Sequence, residues 1–89
     1  MTRRSNYKVV WALGEVGGQF AVASLVDALH DRSPDLRVIA IESLGKLNAK
    51  VALSRLRLLV DDNEKSHFGD MASVSAAARA AITKLEATP

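Results

Sequence analysis

Asp27, His30 and Asp31 are the residues of this 89-residue chain that come nearest to metal chemistry. Carboxylate and imidazole are ligands for divalent cations. At i, i+3 and i+4 the three would also share one face of a helix. A catalytic centre, however, usually gathers ligands from several elements, and the other histidine, His67, lies in a separate polar stretch. The trio is therefore read as a solvated helix end, and no metal ligand is assigned. Gly14-Glu15-Val16-Gly17-Gly18 is glycine-rich like a phosphate loop, but no Lys-Ser/Thr follows and no strand precedes. Neither histidine sits in a nucleophile motif, although spacing alone says nothing about a triad assembled in space. There is no cysteine, which removes thiolate catalysis, disulfides and cysteine-ligated zinc or iron–sulfur sites. The expectation is a chain with no catalytic residues, no cofactor and no metal.

Composition narrows the class further. With 48% apolar and 25% charged residues the chain falls in the globular range, far from disorder. No apolar run reaches the ~18–20 residues of a membrane span. The basic N-terminus is followed by Gly14, Glu15, Gly17, Gly18 and Gln19 rather than an unbroken apolar core, so no signal peptide is expected. The lack of cysteine points to a reducing, cytoplasmic setting. A net charge of +2 with both signs interspersed argues against nucleic acid as partner.

The elements that must position any site come from an internal repeat. Leu13-Gly14-Glu15-Val16 returns as Leu44-Gly45-Lys46-Leu47 at an offset of 31, and Ala21/Ala52, Leu25/Leu56 and Asp31/Asp62 keep the same spacing. A weaker echo, Ile82-Thr83-Lys84-Leu85, requires an offset of 38, so about seven residues are inserted at 63–70. Apolar spacing predicts helices over about 3–16, 19–30, 34–47, 49–61 and 71–87. Ser33-Pro34 opens the third as N-cap and first helical position, with Asp35 favouring the helix dipole. Gly17-Gly18 and Asn48 mark helix ends. On a helical wheel the third helix gathers Leu36, Ile39, Ala40, Ser43, Leu44 and Leu47 on one face and leaves Val38, Glu42 and Gly45 opposite. Glycine at both 14 and 45, inside helices, implies a close neighbouring helix. Asp31 and Arg37 bracket a turn at a spacing that could pair them.

No alternating strand pattern occurs. The expected fold is all-α, one domain over 1–89 with repeats at about 3–31, 34–62 and 71–87: two and a half helical hairpins stacked as an α-solenoid of about five helices. The residues Asp31, Pro34, Leu36, Arg37, Ala40, Leu44, Gly45, Leu47, Ala52, Leu56, Val60 and Asp62 carry a pattern that resembles the HEAT-like repeats of the phycobilisome-lyase type. The resemblance implies paired helices of about thirty residues per repeat. Its implied roles range from general protein binding to attachment or detachment of a bilin.

Two surfaces stand out as candidates for a partner. Tyr7 and Trp11, the chain's single tyrosine and single tryptophan, fall together on the first helix, on the face opposite its core positions. Exposed aromatics are typical interface anchors. That face, lacking an evident cap, is expected either to self-associate or to meet a preceding repeat of a longer protein. The second surface is the outward stripe of the second and fourth helices: Ala23, Asp27 and His30, then Ser54, Leu58 and Asp61, flanked by Arg55 and Arg57. Tyr7, Trp11, Asp27, His30, Arg55 and Leu58 are the candidate partner-binding residues. The function expected is a non-enzymatic protein-interaction module or scaffold. The alternative is a component of a bilin lyase handling a linear tetrapyrrole on a phycobiliprotein, which would make the chain part of an enzyme.

Overall fold

The computed structural model describes residues 11, 12, 14, 15, 17–66 and 73–87. Trp11, Ala12, Gly14 and Glu15 are helical. They are followed by α1 (Gln19–Ala28), α2 (Pro34–Lys46), a 3-10 turn (Lys50–Ala52) leading into α3 (Leu53–Arg57), and α4 (Val74–Ala87). Among the described residues there is no strand, and one isolated bridge joins Lys65 to Ser73.

The ends of α2 follow from sequence chemistry. The Leu36 N–H donates to Ser33 Oγ, Pro34 is the first helical residue and Asp35 lies in the first turn. At the other end Asn48 adopts φ 55°, the Ala49 N–H donates to the Leu44 carbonyl and the Asn48 N–H to the Gly45 carbonyl. These are the paired bonds of a left-handed helix terminator. Gly17, the position 31 residues earlier, has φ 76°. A left-handed residue thus stands at both equivalent places, once glycine and once asparagine.

Packing departs from the one-faced helix expected for residues 34–47. Leu36, Ile39, Ala40, Ser43 and Leu44 are buried as expected, but Val38, Ile41 and Gly45 are buried too. The cause is that α2 packs against α1 and also against α4. The supposed outer face is a second contact face. One core runs through all four helices, with Leu25 and Leu29, then Val38, Ile41 and Leu44, then Leu56, then Val74, Ala78 and Leu85. Each fully buried leucine contributes about 2 kcal/mol, several times the worth of an exposed ion pair such as Lys46–Glu15.

The row of helices repeats its contacts. A Cβ placed on Gly14 would lie 2.7 Å from Ser43 Cβ, while one on Gly45 would lie 3.6 Å from Ala81 Cβ. Ser43 and Ala81 are themselves equivalent at the offset of 38. The close neighbour expected from the glycines is present at both positions. Only Gly14 is sterically required, since 3.6 Å is ordinary contact.

Pairs 31 apart also meet directly. Lys46 bonds Glu15, and Ser66 Oγ donates to Asp35 at 2.7 Å. Asp31 Oδ1 accepts the Ser33 N–H, and Asp62 Oδ1 accepts the Glu64 N–H, so each aspartate fixes its own turn. The Asp31 carboxylate is therefore engaged locally, and the pairing imagined with Arg37 takes another form. Arg37 Nη1 donates to the carbonyls of Asp31 and Arg32, its Nη2 meets Glu64, and its Nε lies 3.1 Å from Asp62 Oδ2. That last contact is ionic without hydrogen-bond alignment, because the Nε proton finds no acceptor. The arginine side chain is only 7% exposed and ties the turn before α2 to Asp62 and Glu64 beyond α3.

Two helix boundaries differ from the spacing. Residues 49–61 wind partly as 3-10 turn and partly as a short α-helix, then continue in tight turns closed by Leu58 N–H to Arg55, Leu59 N–H to Leu56 and Asp62 N–H to Leu59. Arg79 donates to the Val60 carbonyl at that end. α4 begins at Val74 rather than 71, with the Ala76 N–H bonded to Ser73 Oγ. The insertion is pinned at its edges: Val74 N–H donates to the Glu64 carbonyl and Ser75 N–H to that of Asp62.

A candidate protein-binding groove

α1 and the segment from Lys50 through α3 stand beside each other without closing the space between them. The groove so formed encloses about 830 Å³ and is lined by Gly18, Gln19, Val22, Ala23, Val26, Asp27, Leu47, Ala49, Val51 and Arg55. Its floor is apolar. α1 supplies Val22 and Val26, turned sideways from the buried Ala21 and Leu25. The chain leaving α2 supplies Leu47 and Ala49. The rim is charged, with Asp27 from α1 and Arg55 from α3. An apolar trough with a few polar groups at its edge is the usual make-up of a recognition site.

Of the residues singled out from sequence, Asp27 and Arg55 line the groove. His30 is tied to it, its Nε2 lying 3.3 Å from Arg55 Nη1. Such a bond needs an unprotonated Nε2, since the guanidinium only donates. Leu58 is 71% exposed but lies outside the lining. Arg57, beside it, pairs with Glu86 at 2.8 Å. Tyr7 falls outside the described residues. Trp11 is 53% exposed, and its equivalent one repeat on, Glu42, edges a shallow furrow against Ala77, Ala80 and Ala81 of α4. The face read as wholly outward on the first helix corresponds in α2 to a junction between helices. Among the described residues no cluster of histidine and acidic side chains could hold a metal ion, and no helix is long and apolar enough to cross a membrane.

Phe20 and Val51 were missed by the outward stripe. They are 92% and 74% exposed, and they occupy equivalent positions at the 31-residue offset. The signal was available: both neighbour buried alanines, Ala21 and Ala52, yet cannot point the same way as those alanines on a helix. A large apolar residue repeated off the core face is worth marking as surface.

What the groove could hold is bounded by its chemistry. Its lining holds one carboxylate and one guanidinium and no nucleophile paired with a base. Comparison with curated proteins yields no match, and comparison with solved structures yields none. Residues 4–68, well over half of the chain, match the family described as HEAT repeats. With its recurring helix junctions and its recurring helix terminators, the chain belongs to the HEAT-repeat family.

Proposed function

We propose that the chain is a non-enzymatic interaction scaffold, an α-solenoid of two and a half HEAT-like repeats acting as one domain in a reducing, cytoplasmic setting. Its partner is a protein segment received in the groove between α1 and α3. The observation that supports this most is the apolar floor of Val22, Val26, Leu47 and Ala49 beneath a rim of opposite charges. Stacked repeats leave such a trough wherever neighbouring helices diverge, and a helix or extended peptide fits it by its apolar side chains. The family match names repeats and no chromophore chemistry, so the bilin-lyase reading gains no support from it.

Affinity capture from the native host tests the reading, using the wild-type chain beside Ala23→Glu and Val51→Asp. Both positions are exposed, so helicity measured by circular dichroism should be unchanged. A protein retained by the wild type and lost from both variants is the expected result. A retained set indifferent to both substitutions would place binding elsewhere.

A further inference from the structure

We propose that the groove takes the α1 face of a second copy of this chain, forming a two-fold dimer. The proposal rests on the interaction-scaffold reading and commits it to one occupant. Phe20 and Asp27 are seven residues apart on α1, so they lie on one stripe about 10 Å long, beside the groove-lining positions Gln19 and Ala23. Phe20 is 92% exposed. Asp27 takes no part in the ion pairs among the described residues. The stripe therefore offers one large ring and one carboxylate. Across the groove stand Val51 and Arg55, one helical turn apart, an apolar side chain and a guanidinium.

The two sets match. With a two-fold axis running along the groove, the α1 bank of each copy faces the α3 bank of the other. Phe20 then enters the partner copy's trough beside Val51, and Asp27 meets Arg55. Each copy gives one ring and receives one, as an isologous interface requires. Arg55 keeps its contact to His30, because a guanidinium has five N–H donors and that contact uses one. Stacking in the other sense, with the axis across the groove, lays α1 antiparallel on α1 and brings no Arg55 to Asp27, so it forfeits the charge pairing.

Sedimentation equilibrium of the full chain over a wide concentration range tests this. The wild type should dimerise reversibly in the micromolar range, and Phe20→Ser should weaken association more than tenfold. Asp27→Arg and Arg55→Asp should each weaken it about tenfold, and the double reversal should restore it. The double variant still lacks the Arg55–His30 contact, so recovery cannot come from repair of the fold. A chain monomeric at every concentration overturns the proposal, as does a dimer indifferent to Phe20→Ser or a double reversal no better than its parents. If the chain stays monomeric while a host protein is captured in the groove-dependent manner above, the scaffold reading stands and the dimer falls.

Discussion

α2 and α4 align at an offset of 38 residues, and they agree on one face and differ on the other. Leu36/Val74, Arg37/Ser75, Ile39/Ala77, Ala40/Ala78 and Ser43/Ala81 are buried in both. Val38, Ile41 and Gly45 are buried in α2, whereas Ala76 is half-buried and Arg79 and Thr83 are exposed in α4. The shared face is the one that both helices bury. The other is buried on α2, which packs against α4, and is largely open on α4, where Arg79 and Thr83 are exposed. Side-chain type follows from this: an isoleucine stands where a neighbour packs, an arginine where solvent does.

Exchanging those two residues should break the comparison most severely. Ile41→Arg buries an unpaired guanidinium against α4 and is expected to cost at least about 4 kcal/mol, enough to unfold much of the chain. Arg79→Ile forfeits one exposed hydrogen bond to Val60 and should cost about 1 kcal/mol or less. Urea titrations read by circular dichroism measure both, with an unchanged slope confirming that folding remains two-state.

Arg37 and Ser75 give the next largest contrast, being equivalent, buried and differently partnered. Arg37→Ala strands Asp62 and two carbonyls and should cost about 3 kcal/mol. Ser75→Ala loses bonds to Asn63 and to Ser73 Oγ and should cost about 1–2 kcal/mol. Equal losses in the same titration would show that the arginine is no junction tie.

The glycines sharpen the point with opposite signs. Gly14→Ala drives a methyl into Ser43 and should destabilise by about 1–2 kcal/mol after its gain in helix propensity. Adding Ser43→Gly relieves the clash, so the pair should be less unstable than the sum of the singles. Gly45→Ala meets Ala81 at ordinary distance and should stabilise by about 0.5–1 kcal/mol. Thermal melts of the four variants, Ser43→Gly alone among them, decide it: a Gly14→Ala chain as stable as wild type removes the tight junction. Smallest of all, Lys46→Ala should change stability by no more than about 0.5 kcal/mol, because both members of its pair are well exposed.

These contrasts explain what the sequence could and could not disclose. The 31-residue offset was readable because equivalent positions repeat residue type, and the helix ends at Gly17 and before Asn48 were readable from local residue type and spacing. The second buried face of α2 was not, because a helical wheel assigns one core per helix and cannot know how many neighbours surround it. Steric need at Gly14 and its absence at Gly45 look identical in sequence, since both are glycine in a Leu-Gly pair. The groove was half visible. Asp27 and Arg55 followed from the outward stripe, but Leu47 and Ala49 enter it from a loop, whose path no periodicity describes.

The Lys65–Ser73 bridge, with the flanking bonds from Val74 and Ser75, has a practical consequence. It fastens both feet of the extra segment to the helical row, so the separation between those feet is set by the row and not by what lies between. Lengthening a loop whose ends are fixed costs little, about 0.6 kcal/mol for each doubling. An epitope or fluorescent tag spliced between the anchors should thus be carried as cargo, leaving the melting temperature of its host nearly where it began.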